Sequence, residues 1–246
     1  MEKAPGQTYL PCHVVAISGG KDSVAMALRL RELHPDICFE YAITPTGDEL
    51  PEMVAHWKRL EELLGPMRRL STLTLEQVIE REGMLPNFRA RFCTRVLKIE
   101  PFIDYMDSLP GGSVMYVGLR ADEEGRLGLV RPGSQFTVRY PMREWGWGLR
   151  DVLGYLELRG VTIPKRTDCG ACFYQKLGEW RDLLKNHPDR YERYAQIERR
   201  MGYTFRSPGR DTWPADLDGL RQEILSGRKI RESRHGVEKK CRLCSM

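Results

Sequence analysis

The stretch His13-Val14-Val15-Ala16-Ile17-Ser18-Gly19-Gly20-Lys21-Asp22-Ser23-Val24-Ala25-Met26-Ala27-Leu28 decides how the rest of the chain is read. Its apolar, β-branched start predicts a buried strand over residues 13–17. Val24, Ala27 and Leu28 then share one face of a helix over 23–33. Between strand and helix, Gly19 and Gly20 free the backbone to aim successive N–H groups into one concavity. The helix start adds its positive end. Lys21 adds a mobile cation, Asp22 a first-turn carboxylate, and Ser18 and Ser23 two hydroxyls. These features predict a phosphate-binding turn at the C-terminal end of a strand, where open α/β sheets hold ligands. The spacing is neither that of the common P-loop, which needs four residues between its first glycine and Gly-Lys, nor that of the dinucleotide fingerprint.

Outward from this stretch, short β-branched runs alternate with helical patterns. Strands are predicted over 38–44, 69–73 and 114–119. Helices are predicted over 52–64, 75–82 and 94–108, the last bent near Pro101. In 52–64, Val54, Trp57, Leu60 and Leu64 are expected to face inward. The alternation predicts an α/β fold whose mainly parallel sheet is covered by helices on both faces. Past Trp145 the pattern turns helical, over 149–159, 179–201 and 217–225, with Pro and Gly between, as in Ser207-Pro208-Gly209-Arg210. The expected division is a nucleotide-binding domain over 1–145 and a helical, cysteine-bearing C-terminal extension over 146–246.

Of the 246 residues, 41% are apolar and 30% charged, which argues against a disordered or membrane-embedded chain. The start MEKAPGQTYLPCHVVAIS lacks the features of a signal peptide, so a cytoplasmic location without membrane partners is expected. The net charge of +5 suits phosphate-bearing ligands or nucleic acid as readily as an ordinary surface with a basic lean.

Asp48 and Glu49 follow the 38–44 strand on the rim of the glycine turn, where carboxylates could hold Mg2+ against phosphates. Arg120 follows the 114–119 strand. With Arg89, Arg91 and Arg126 it could clamp phosphate bidentately. The chain has seven cysteines. In a reducing compartment structural disulfides are not expected. Cys12 and Cys38, in strand-like runs, read as buried bystanders. Cys169-Gly170-Ala171-Cys172 and Cys241-Arg242-Leu243-Cys244 together suit a tetrahedral thiolate site holding either zinc or an iron–sulfur cluster, whereas one such pair alone would also suit a redox couple. Cys93, just before a helix start, is a fifth candidate and could be a low-pKa thiolate.

Ser18-Gly19-Gly20-Lys21-Asp22-Ser23 resembles the pyrophosphate loop of the ATP pyrophosphatases. The likeness continues in order through Thr46-Gly47-Asp48-Glu49-Leu50-Pro51-Glu52, Arg91-Phe92-Cys93-Thr94 with Lys98 and Pro101, Gly118-Leu119-Arg120 with Glu124 and Arg126, and Pro141-Met142-Arg143-Glu144-Trp145 with Asp151-Val152 and Ile163-Pro164. That series is similar to the branch containing the phosphoadenosine phosphosulfate reductases. The resemblance implies cleavage of ATP to AMP and pyrophosphate with Mg2+ as co-substrate metal, and Lys21, Asp48 and Arg120 as the residues acting on the phosphates. In iron–sulfur members a Cys-Cys pair and a later Cys-x-x-Cys hold a 4Fe–4S cluster. Thr94 replaces the second cysteine of that pair, so Cys93, Cys169 and Cys172 would need Cys241 or Cys244 as fourth ligand, with Zn2+ on the two Cys-x-x-Cys pairs as the alternative.

The resemblance extends to the ATP pyrophosphatases of DNA phosphorothioation systems (the DndC type). It implies a DNA acceptor and a sulfur-donor protein such as a cysteine desulfurase. A reductase making sulfite from an adenylyl sulfate is the runner-up. Its tail motif Glu-Cys-Gly-Leu/Ile-His is absent from a chain ending Cys241-Arg242-Leu243-Cys244-Ser245-Met246. A third reading is a zinc-stabilised nucleic-acid-binding protein without catalysis, using the arginine-rich stretch 227–234.

Overall fold

The computed structural model describes residues 10–123, 125 and 133–230. Five strands, β1 (His13–Ala16), β2 (Phe39–Ile43), β3 (Met67–Arg69), β4 (Val114–Tyr116) and β5 (Thr137–Arg139), form an all-parallel sheet in the order β3-β2-β1-β4-β5. The chain runs outward from β1 through β2 to β3 and returns to the other side of β1 as β4. The order therefore reverses between β1 and β4, and the loops leaving those two strands face each other across the crevice that such reversals create.

Strand alternation separates two cores. Val15, Tyr41, Ile43 and Tyr116 pack with α1 (Lys21–Leu33), α2 (Pro51–Leu64) and α7 (Leu149–Leu158). Val14, Ala42 and Met115 face the other way, onto Phe102 and Met106 of α5 (Glu100–Ser108). Helices thus cover both faces, as the alternating pattern predicts. A third core joins Leu50, α3 (Leu75–Glu82) and the short α4 (Phe92–Thr94) to α8 (Leu177–Asn186), α9 (Pro188–Met201) and α10 (Leu217–Leu225). The one-turn helix α6 (Pro141–Glu144) completes the set.

Several expectations need correction. The third strand is Met67–Arg69, earlier than the predicted 69–73. β5, three residues long, is too short to show a period in sequence. The single helix expected over 179–201 is two helices: a residue before proline is pushed out of the α region, and His187, ahead of Pro188, ends α8 at φ −139°. In α2 the inward face is Met53, His56, Trp57, Leu60 and Leu64, and Val54 is exposed. Cys38, expected to be buried, is exposed at the start of β2.

The bend expected at Pro101 is a stretch of π-helix over Arg95–Ile99, where the Glu100 N–H reaches back to the Arg95 carbonyl. Proline has no N–H to give the carbonyl four residues before it, that of Leu97. The Ser71 hydroxyl donates to that oxygen instead, at 2.7 Å. Ser71→Ala should therefore remove this donor and destabilise the chain by about 0.5–1.5 kcal/mol, read as a lower urea midpoint at unchanged slope.

Candidate functional site

Between β1 and α1 the 18–23 loop closes on its own hydroxyls. The Ser18 N–H donates to Ser23 Oγ at 3.2 Å, Gly20 N–H donates to Ser18 Oγ at 3.2 Å, and the Ser23 hydroxyl donates to the Gly20 carbonyl at 3.1 Å. Ser18 and Ser23 hydroxyls also lie 3.1 Å apart. Gly19 has φ +77°, and a Cβ there would press on the Trp57 indole at 2.8 Å, so glycine is required on two counts. From the opposing loop, a Cβ on Gly118 would lie 3.0 Å from the Ser23 nitrogen. The loops leaving β1 and β4 are thus in backbone contact, and α1 starts at their meeting point with Lys21 partly exposed beside Asp22 at 3.6 Å.

Arg120 is 3% exposed. Its Nη1 donates to both Asp22 oxygens at 3.0 and 3.1 Å, its Nε donates to Asp122 at 2.8 Å, and Glu123 lies at 4.0 Å. The structure therefore places Arg120 as the brace that locks the first turn of α1 to the β4 loop. Stranding either partner of such a buried pair costs about 3–5 kcal/mol. Of the other expected clamps, Arg89 and Arg91 lie on the loop after α3, while Arg126 falls outside the described residues, as does Glu124.

Asp48 is 2% exposed, at the end of the β2 loop. Its Oδ2 accepts the Ala171 N–H at 2.9 Å, its Oδ1 accepts the Tyr194 hydroxyl at 2.7 Å, and its carbonyl accepts the Gly170 N–H at 2.7 Å. Burial pushes its carboxyl above the ordinary carboxylate range, while those donors pull the other way. Glu49, predicted beside it as a metal ligand, bonds the Thr46 N–H and hydroxyl, each at 2.7 Å, and pairs with Cys169 through a short antiparallel bridge. The turn carrying Cys169 and Cys172 is thereby seated on the end of β2. Arg166 reinforces it, donating to the carbonyls of Cys169 and Gly170 at 2.6 and 3.2 Å.

Cys93, Cys169 and Cys172 meet at this turn. The Cys169 thiol donates to Cys172, which pushes Cys169 well up and holds Cys172 down. The Cys172 charge also raises Cys93, whose largest influence is burial. Burial thus pushes the Cys93 thiol up, against the direction that a place before a helix predicts, although Lys98 pulls it down. Soft sulfur donors converging in an apolar surround fit a thiolate-bound metal or cluster. Among the described residues they do not by themselves form a metal-ligating set, and Cys241 and Cys244 lie outside those residues. The remainder of the arginine-rich stretch, 231–234, lies outside them too. The loop and the cysteine turn adjoin, since the Thr167 hydroxyl stands 3.7 Å from where a Cβ on Gly20 would be.

One site residue has no motif to announce it. His56, 1% exposed on α2, bonds the Gly19 carbonyl through Nε2 at 3.1 Å. Burial lowers its pKa, so it serves as a neutral N–H donor to the loop. A folded-state pKa below the unfolded value of about 6.5 means that His56 contributes fully above that pH and loses its contribution as pH falls below it. The wild-type chain should lose stability from pH 7 to pH 5 more steeply than His56→Asn, a difference that thermal unfolding at several pH values measures directly.

No helix among the described residues is long and apolar enough to cross a membrane. No curated protein matches the chain. Among solved structures, a phosphoadenylyl-sulfate reductase from Candida auris in a phosphate complex aligns at 15% identity and TM-score 0.49, over 63% of this chain and 75% of its own. The U34-tRNA thiolase NcsA from Methanococcus maripaludis, with its 4Fe–4S cluster, aligns at 16% identity and TM-score 0.45, over 90% and 82%. The sequence profile of the phosphoadenosine phosphosulfate reductase domain matches residues 12–185, which run from the start of the sheet through the glycine loop, Asp48, Cys93 and the Cys169–Cys172 turn into α8. The chain belongs to the phosphoadenosine phosphosulfate reductase domain family.

Proposed function

We propose that this chain is an ATP pyrophosphatase that adenylates an acceptor so that sulfur can replace oxygen, and that the acceptor is a phosphate of the DNA backbone. The observation that carries the reading is the junction just described. The 18–23 loop abuts Thr167, two residues before Cys169, and Asp48 pins that cysteine turn to the same rim of the sheet. A nucleotide held by the loop would therefore share one crevice with the soft sulfur donors. Membership in a family named for a phosphosulfate of adenosine supports the pairing.

ATP brings Mg2+ with it. An acceptor oxygen attacks the α-phosphorus, and the bond to the bridging oxygen breaks, so that pyrophosphate leaves with the electron pair. The loop N–H groups, the α1 terminus and Lys21 take up the charge developing on that leaving group. Asp22, held bidentately by Arg120, fixes the turn from which Lys21 reaches. A sulfur nucleophile then displaces AMP, which departs with the replaced oxygen. Cys93, Cys169 and Cys172 would hold a 4Fe–4S cluster, with Cys241 or Cys244 as fourth ligand and Zn2+ as the alternative metal. A bound cluster supplies a sulfur-tolerant centre beside the activated acceptor. A cysteine desulfurase is the class of partner that would deliver the sulfur. The second reading, a reductase that releases sulfite from an adenylyl sulfate, is favoured by the family's own description, and the products separate the two.

With Mg2+ and acceptor DNA, ATP should yield AMP and pyrophosphate. Lys21→Ala should slow this by about 100-fold or more, the scale of losing a charge-stabilising donor, without altering the circular dichroism spectrum. ADP as product, or undiminished turnover in the variant, would overturn the assignment.

The metal has its own check. Chain purified without oxygen should carry about four irons, and Cys93→Ser, Cys169→Ser and Cys172→Ser should each strip them. One zinc per chain that survives Cys93→Ser would end the cluster reading.

A further inference from the structure

The loop after α3 ends in a tight turn built by Asn87. Its Oδ1 accepts the N–H groups of Arg89 and Ala90 at 2.9 and 3.0 Å, and its own backbone N–H donates to the Ala90 carbonyl at 3.1 Å. An Asn side chain that closes on its own backbone in this way leaves the next two residues at the tip. Those residues are Phe88, 46% exposed, and Arg89, also exposed. A polar residue would serve such a turn equally well, so an exposed phenylalanine there calls for a reason.

Its surroundings supply one. The Phe88 ring meets Tyr174 edge-on at 4.8 Å between centroids and Phe173 at 5.3 Å, and those two rings lie 4.4 Å apart. Phe173 is buried and follows Cys172 directly, so the platform has a rigid base one residue from the cysteine turn. Arginines rim it. The Arg210 guanidinium lies 5.9 Å over Phe88 and is steadied by donating to the Phe173 and Gln175 carbonyls at 3.4 and 3.2 Å. Arg91 lies 5.6 Å over Tyr174, with its Nε buried and lacking a hydrogen-bond partner. Among the described residues neither Arg89 nor Arg91 pairs with a carboxylate. Asp211 is held by Arg206 at 2.8 and 2.9 Å and also feels the charge of Arg210 beside it.

Aromatic faces rimmed by cations are the chemistry that holds unpaired nucleotides: the rings take the bases and the guanidinium groups take the phosphates. An acidic peptide would engage the arginines but has no use for the exposed ring. We propose that Phe88 and Tyr174, with Arg89, Arg91 and Arg210, form a stacking platform for an unpaired stretch of DNA, which it presents to the crevice beside Cys172. The inference rests on the reading of DNA as acceptor, and it names how that acceptor is held.

The test is an anisotropy titration of the full chain with a short fluorescein-labelled single-stranded DNA at several salt concentrations. Phe88→Ala should weaken binding about tenfold, the scale of one lost base stack, while Phe88→Trp retains it. Arg89→Ala should lower the slope of log K against log salt by about 0.7, and it serves as the independent variant if Phe88→Ala fails to fold. Unchanged affinity in both Phe88→Ala and Arg89→Ala would overturn the platform, as would tighter binding of duplex DNA or of the same sequence as RNA. Pyrophosphate release, measured on the same preparations, keeps the two readings apart. Turnover without single-strand binding removes the platform alone. Binding that depends on Phe88 in a chain without turnover supports the platform and removes the ATP reading alone.

Discussion

The Asp48 carboxylate joins the two halves of the chain. A buried acid is tolerated only when its oxygens are bonded, and both oxygens of Asp48 find donors in residues far along the sequence, Ala171 and Tyr194. The same residue's carbonyl takes the Gly170 N–H. One residue at the end of β2 therefore fixes the cysteine turn and, through Tyr194, helix α9. The constraint propagates to Gly170, where a Cβ would crowd the Tyr194 ring. Once the turn is seated there, Cys169 packs in the same core as Cys93, and Thr167 just before it stands against Gly20 of the glycine loop.

The loop depends on close approach in the same way. Gly19 against Trp57 and Gly118 against Ser23 allow two strand exits to touch. The price of that closeness is buried charge, and the ion pairs of Arg120 with Asp22 and Asp122 answer it. A buried pair of this kind adds little net stability and punishes loss of either member. Its contribution is geometric: Asp22 cannot swing, and Lys21 next to it is presented from a fixed backbone. His56 does for the Gly19 carbonyl what Arg120 does for Asp22.

Much of this was legible in the sequence where the signal is local. Helix α3 has the predicted bounds 75–82, and the structure shows the local reason: a Thr74–Gln77 capping box starts it and a left-handed Gly83 ends it. The irregular helix near Pro101 was legible because a missing N–H is a property of one residue. β5 was not, since three residues cannot show a period, and the break at Pro188 was hidden inside a helical pattern that continues on both sides. The aromatic platform was invisible for another reason: Phe88, Phe173 with Tyr174, and Arg210 come from three separate segments, none of which looks unusual alone.

The sequence by itself determined the strand–turn–helix of the glycine loop, the parallel α/β layering and the residue types at the candidate site. Each of these follows from neighbours a few positions apart, through dihedral freedom, side-chain period and capping. The tertiary structure decided what those residues do for one another. Arg120 turned inward to Asp22 across 98 positions, and Asp48 turned to Ala171 and Tyr194 across 123 and 146. A charge chooses its partner only once burial has removed water as the alternative, and which distant segments share that dry space is set by the order of the strands.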